Sequence, residues 1–260
     1  MFWNYLKSAL RNLRKNKLFA VINIAGLALG LTIYVFGGLL IEYEKTHDGF
    51  YKNVNRTYTI GSYAAEGLDV GVDLMGSTFS AVGPIIKTEL SDVEMMARTI
   101  MREFLIKMGA EGFYQNIHFA DPELLKIFDF AYVQGDQSAL EDPSGIVITE
   151  SLAIKYFGTT DARGKVVTLD NEFDFTVAAV IRDIPKNSHF SSEIVGSSMQ
   201  ILAPIKALAR LRDYDEAGEW DNLSIGNMTY ILLPEQLDAA WLDDQLASIY
   251  ERLVPDEKHD

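Results

Sequence analysis

The sequence predicts an α+β fold in which one N-terminal transmembrane helix is followed by a mixed helix-and-strand outer domain. Three observations predict it. An uncharged run of 24 residues, Leu18 to Ile41, lies between Lys17 and Glu42. The charges leading into that run are all positive, whereas acids follow it. Beyond it, alternating and helical hydrophobic patterns succeed one another irregularly, which argues against a doubly wound parallel sheet. The 260 residues, 48% apolar and 23% charged, have a globular composition and suffice for one or two domains.

Residues 1–17 come first. At the helical period Phe2, Leu6, Ala9, Leu10 and Leu13 fall on one arc, with Trp3 and Tyr5 at its edges and Lys7, Arg11, Arg14 and Lys15 opposite. This is the pattern of an interfacial helix, apolar side in the acyl boundary and basic side toward anionic headgroups. With Lys17 the leader carries five positive charges and no acid. Taking that +5 from the net −14 leaves −19 on residues 18–260, a poor composition for nucleic-acid binding, which needs basic phosphate contacts.

Residues 18–41 form the predicted transmembrane helix. About 20 apolar residues span a hydrocarbon core of roughly 30 Å. A cleaved signal peptide has a shorter apolar region, about 7–15 residues, and a small-residue cleavage site. Here Glu42-Tyr43-Glu44-Lys45 follows instead. The positive-inside rule places the N-terminus in the cytoplasm and the main domain outside, with Lys7, Arg11, Arg14, Lys15 and Lys17 setting the topology at the membrane surface. Gly26 and Gly30 form a G-x-x-x-G with Ala28 between, a predicted helix-packing face, since small residues let a second helix approach closely.

The outer region follows. Arg56–Ile60 alternates and predicts a strand, and the glycine-rich stretch 61–76 a loop or hairpin. Phe79, Val82, Ile85, Ile86 and Leu90 predict a helix, with Ser77 or Thr78 as its N-cap and Pro84 near its start. Met95–Met101 and Phe104–Met108 read as two strands, completing a β-α-β unit with an extra strand. Asp121-Pro122 opens a short helix to Ile127, and Phe128–Val133 reads as a strand ended by Gly135-Asp136. Ile146–Thr149 is a strand, and Glu150–Phe157 a helix closed by Gly158. Lys165–Leu169 and Phe173–Ile184 form a hairpin turned at Asp170-Asn171. Ala203–Arg212 is a helix, Met228–Leu233 a strand, and Leu237–Leu253 an amphipathic helix.

No constellation carries chemistry. The chain has no cysteine, which excludes a disulfide framework and a thiolate metal site. The histidines at 47, 118, 189 and 259 lie far apart, outside any metal-ligand spacing. His189, in Asn187-Ser188-His189, reads as a loop hydrogen-bonder. There is neither a P-loop nor a G-x-S-x-G elbow. We therefore expect no catalytic, cofactor-binding or metal-ligating residues.

The segment NYLKSALRNLRKNKLFAVINIAGLALGLTIYV (residues 4–35) resembles the N-terminus of MacB/FtsX-like ABC transporter permeases, most of all the branch found in Bacteroidetes and related bacteria. HDGFYKNVNRTYTI (47–60) is similar to that branch's exit from the first helix, although Thr46-His47-Asp48 departs from its commoner serine-tyrosine-aspartate. FADPELLKIFDFAYVQGD, PSGIVITESLAIKYFG, GKVVTLDNEFDFTVAAVIRDIPKNSHF and TYILLP resemble successive blocks of the MacB-like periplasmic core domain. The resemblance implies a permease subunit that is not itself an enzyme and needs no cofactor. An ABC ATP-binding subunit would hydrolyse ATP in the cytoplasm, and a second permease copy would complete a dimer in the bacterial inner membrane. Mechanotransmission or export would follow, with a periplasmic partner protein as a further possible contact.

It also implies two subdomains, residues 48–110 with 225–260 as a porter-like part and 111–224 as an insertion. Members of the family carry further transmembrane helices after this domain. None follows residue 42 here, so the resemblance implies an N-terminal part cut before the FtsX domain. The alternative reading is a membrane-anchored sensor or scaffold domain. Against it, only about 17 residues lie on the cytoplasmic side, too few for a signalling domain.

Overall fold

A computed structural model of the chain describes residues 2–63, 74–108, 111–191, 198–211 and 226–253. It divides into two units, Met1–His47 and Asp48–Asp260.

The first unit is helical. α1 (Phe2–Lys15) and α2 (Lys17–Lys45) are separated at Asn16, where φ −113° and ψ 58° leave the helical region. The Asn16 side-chain amide donates back to the Asn12 side-chain oxygen at 3.0 Å, and Ala20 N–H bonds the Asn16 carbonyl. The predicted span of 18–41 thus lies inside a longer helix of 29 residues. At 1.5 Å per residue this is about 43 Å, longer than a hydrocarbon core. Its apolar side chains find no protein to bury in: Leu18, Phe19, Leu27, Tyr34 and Phe36 are at least 67% exposed. Each would gain about 1.5–3 kcal/mol on leaving water. Thr32 turns its hydroxyl back onto the Ala28 carbonyl at 2.8 Å, which satisfies it without water.

The second unit is built on β1 (Thr57–Ile60), β2 (Ser62–Tyr63), β3 (Leu74–Met75), α3 (Val82–Glu89), β4 (Met95–Met108), β5 (Glu111–Ala120), α4 (Leu124–Ile127), β6 (Tyr132–Gln134), β7 (Gly145–Thr149), α5 (Glu150–Phe157), β8 (Val166–Leu169), β9 (Phe173–Ile181), β10 (Ile201–Pro204), α6 (Ile205–Leu211), β11 (Met228–Leu232) and α7 (Ala239–Leu253). One sheet runs β1-β11-β4-β5-β10-β7-β9-β6, and β8 pairs with both β4 and β9. The pairings β4-β5-β10-β7-β9-β8-β4 therefore close into a ring, which removes edges there. The β5/β10 and β7/β9 pairs are parallel; the other pairs of the ring are antiparallel.

Three apolar cores follow from this topology. Phe104, Ile106, Phe119, Phe175 and Val177 fill one with α5 and α6. Ile86 of α3, Leu90 at its C-cap, and Leu242 and Ile249 of α7 pack with Ile60 and Ile231 in another. The third is aromatic and gathers Tyr51, Phe128, Phe130, Phe190 and Tyr230.

Several local readings hold. Gly158 closes α5 at φ 71°, its N–H on the Ile154 carbonyl at 2.8 Å. Asp170 and Asn171 both take positive φ in the β8–β9 turn. The ends of the 61–76 stretch pair as β2 and β3, and residues 64–73 lie outside the described residues.

Others are corrected. Met95–Met108 is one strand of 14 residues, not two, because β11, β5 and β8 pair along its length. Phe128 and Phe130 precede β6 instead of forming it, drawn into the aromatic core. α6 begins at Ile205 because 201–204 is a fully buried central strand. The N-cap of α3 is Ala81. Thr78 is committed to β11, its hydroxyl 3.0 Å from that of Thr229 and its N–H on the Asn227 carbonyl. α3 also packs closely over β4. A Cβ on Gly83 would stand 2.2 Å from Arg98 Cδ, and the Arg98 guanidinium is fixed by two bonds to Asp121, at 2.8 and 3.0 Å.

Candidate functional site: a half-buried Asp-His-Tyr network

α2 ends at Lys45, and the outer unit starts three residues later at Asp48. Asp48 has φ 56°, a left-handed conformation uncommon for a residue with a side chain. Its N–H donates to the Asn187 carbonyl at 2.9 Å. Its carboxylate accepts from the Ser188 hydroxyl at 2.8 Å, from His189 N–H at 3.2 Å and from His189 Nδ1 at 2.8 Å. The other ring nitrogen, Nε2, lies 3.0 Å from the hydroxyl of Tyr230, which stands in the middle of β11.

An ionised carboxylate only accepts, so Nδ1 carries a proton toward Asp48. The Tyr230 hydroxyl lies between Nε2 and Met228 Sδ, to which it donates at 3.1 Å. Burial alone would raise the Asp48 pKa. The hydrogen bond and charge of His189 and the bond from Ser188 outweigh it, and the carboxyl sits below its usual value. Burial raises the Tyr230 phenol well above its ordinary value, and the Asp48 charge adds to that, so Tyr230 remains a donor.

Packing holds the network as firmly as hydrogen bonds do. Tyr51 and Phe128 have ring centroids 5.0 Å apart, Phe128 and Phe190 4.9 Å, and Phe128 and Tyr230 5.0 Å, all edge-on. Edge-to-face pairs of this kind contribute about 0.5–1.5 kcal/mol each beyond burial. The segment after Asp48 is fixed twice more. Lys52 N–H donates to Asp129 at 2.9 Å, and the Arg56 guanidinium bonds Glu94, the Leu233 carbonyl and Asn53. Residues 48–56 are thus bound to the 127–130 turn, the 187–190 loop and the end of β11.

The arrangement is not a Ser-His-Asp triad: the Ser188 hydroxyl donates to Asp48 and not to the imidazole. Among the described residues no group of three or more His, Asp or Glu could hold a metal ion.

The residues singled out from the sequence lie elsewhere. Gly26 and Gly30 are on α2, and a Cβ on either would meet nothing within 4 Å. Lys7, Arg11, Arg14, Lys15 and Lys17 are exposed on the first unit, whereas the network belongs to the second. Sequence reasoning missed Asp48, Tyr51, Ser188 and Tyr230, and met His189 only as a hydrogen-bonding loop residue.

A family model described as MacB-like periplasmic core domain matches residues 20–249. Among solved structures, a domain described as coming from a permease protein of Porphyromonas gingivalis aligns with TM-score 0.59 at 22% identity, over 78% of this chain and 83% of that one. The periplasmic region of MacB from Actinobacillus actinomycetemcomitans aligns with TM-score 0.55 at 13% identity, over 75% and 83%. At these identities the likeness is one of fold. No curated protein matches the chain.

Proposed function

The chain belongs to the MacB-like periplasmic core domain family, and from that premise we propose that it is the N-terminal part of an ABC transporter permease subunit that passes ATP-driven motion to its outer domain. Hydrolysis takes place in a partner ATP-binding subunit in the cytoplasm. α2 crosses the inner membrane with its N-terminus inside, and the outer unit stands in the periplasm. A second permease copy pairs with it, with Gly26 and Gly30 lining a helix contact. Within the outer unit we assign residues 48–110 and 225–260 to the porter-like part and 111–224 to the insertion.

One observation carries this reading. Only Thr46 and His47 separate the last residue of α2 from Asp48. Two residues leave almost no slack, at most about 3.6 Å each. A shift at the outer end of α2 therefore loads the Asp48–His189–Tyr230 network directly, and through Tyr230 it reaches β11 in the sheet.

The test uses the absence of native cysteine. The protein is isolated from native membranes carrying Glu172→Cys, at the exposed β8–β9 turn, labelled with a nitroxide. An ABC ATP-binding subunit co-purifies, and the distance between labels on the two copies differs between nucleotide-free and ATP-trapped states. Absence of the ATP-binding subunit, or a single unchanged distance, contradicts the proposal.

A further inference from the structure

We propose that α1 is a docking surface for anionic phospholipid headgroups, so that the N-terminal helix lies on a charged lipid surface. The proposal rests on the reading of α2 as a membrane span.

α1 is a helix of 14 residues, joined to α2 through Asn16 alone. A helix that ends one residue before a span starts at the membrane surface, and its own composition decides whether it stays there. Its basic side chains Lys7, Arg11, Arg14 and Lys15 are exposed and, among the described residues, have no carboxylate partner; Lys17 opens α2 in the same state. No acid occurs before Glu42, so nothing nearby in the sequence neutralises them. On the opposite side of the helical period Leu13 is 47% exposed, and Trp3 and Tyr5, at the edges of that side, are 71% and 74% exposed. An apolar side backed by a basic one matches the acyl–headgroup boundary, where rings and aliphatic chains enter the hydrocarbon and cations meet phosphate.

Charge complementarity selects the occupant. Each Lys or Arg near an anionic leaflet contributes about a fivefold preference for the bound state, so neutralising three weakens docking by roughly a hundredfold. A zwitterionic surface supplies only the apolar share, which makes the contact depend on lipid composition.

The test places a single nitroxide on the whole chain in vesicles of phosphatidylcholine, with or without phosphatidylglycerol. Three sites are read: Ala9→Cys on the apolar side of α1, Asn4→Cys opposite, and Leu31→Cys within α2. With phosphatidylglycerol the Ala9 label is reached by oxygen and shielded from a water-soluble nickel complex, the Asn4 label shows the reverse, and the Leu31 label stays in hydrocarbon. Removing phosphatidylglycerol, or combining Lys7→Gln, Arg11→Gln and Arg14→Gln, returns the Ala9 label to water.

A Leu31 label in water overturns the membrane span itself. With Leu31 in hydrocarbon, an Ala9 label that is wet in both vesicle types overturns lipid docking. One that is shielded equally in both, or in the triple variant, overturns headgroup recognition. One that is shielded only after the ATP-binding subunit is added makes a protein the occupant and also overturns the proposal.

Discussion

Asp48 holds a left-handed backbone that costs roughly 1–2 kcal/mol for a residue with a side chain, somewhat less for Asp. Hydrogen bonds to an ionised group contribute about 1.5–3 kcal/mol each, and its carboxylate accepts from Ser188 and from both His189 donors. The bonds therefore outweigh the strain, and the side chain dictates the conformation at the start of the outer unit. Asp48→Asn puts an amide where only an acceptor fits. It should destabilise the outer unit by about 1–3 kcal/mol at pH 7 in urea unfolding of the detergent-solubilised chain. The sign of the pH effect follows from the lowered pKa. The stabilisation is fully present above the ordinary value of 3.8 and is lost as pH falls through the lower native value. The gap between wild type and variant should therefore close at the acid end of the scan. An equal gap at pH 7 and well below pH 3.8 contradicts the role given to the charge.

At the scale of elements, α2 is apolar all round, while its glycines are not spread evenly. Gly26 and Gly30 lie four apart, one above the other on the helix, and a Cβ there meets nothing within this chain. If that strip receives a second helix, Gly30→Leu should lower recovery of the dimeric complex several-fold in crosslinking while leaving the unfolding of the outer unit unchanged. Undiminished complex formation contradicts it.

Elements with a local signal were legible in the sequence: the α2 run, the Asp170-Asn171 turn, and Gly158 after α5. β10 was not, since a strand buried among others has no period to distinguish it, nor was β5, whose first half is exposed at Phe113 and Tyr114 and so shows no apolar alternation. Ile201–Pro204 is buried at every residue and merges with the apolar start of α6. The site was less legible still. Asp48 and His189 are 141 positions apart, and only folding places one residue beside the other. Phe128 and Phe130 misled as a strand because burial in an aromatic core leaves the same alternating pattern.

The whole molecule is two units of opposite physical character. One is a cationic, apolar helical unit that water does not suit. The other is an acidic α+β unit whose closed strand ring folds around its own core. The chain belongs to the MacB-like periplasmic core domain family, and only Thr46 and His47 separate the end of α2 from Asp48.

The proposal stands or falls on α2 crossing a membrane with its N-terminus on the cytoplasmic side. Thiol labelling in spheroplasts, with a reagent that does not cross lipid, tests it most directly. Cysteine introduced at Glu172 should react at once, and cysteine introduced at Asn4 only after the membrane is broken. Both sites reacting at once, or Asn4 reacting first, contradicts the account.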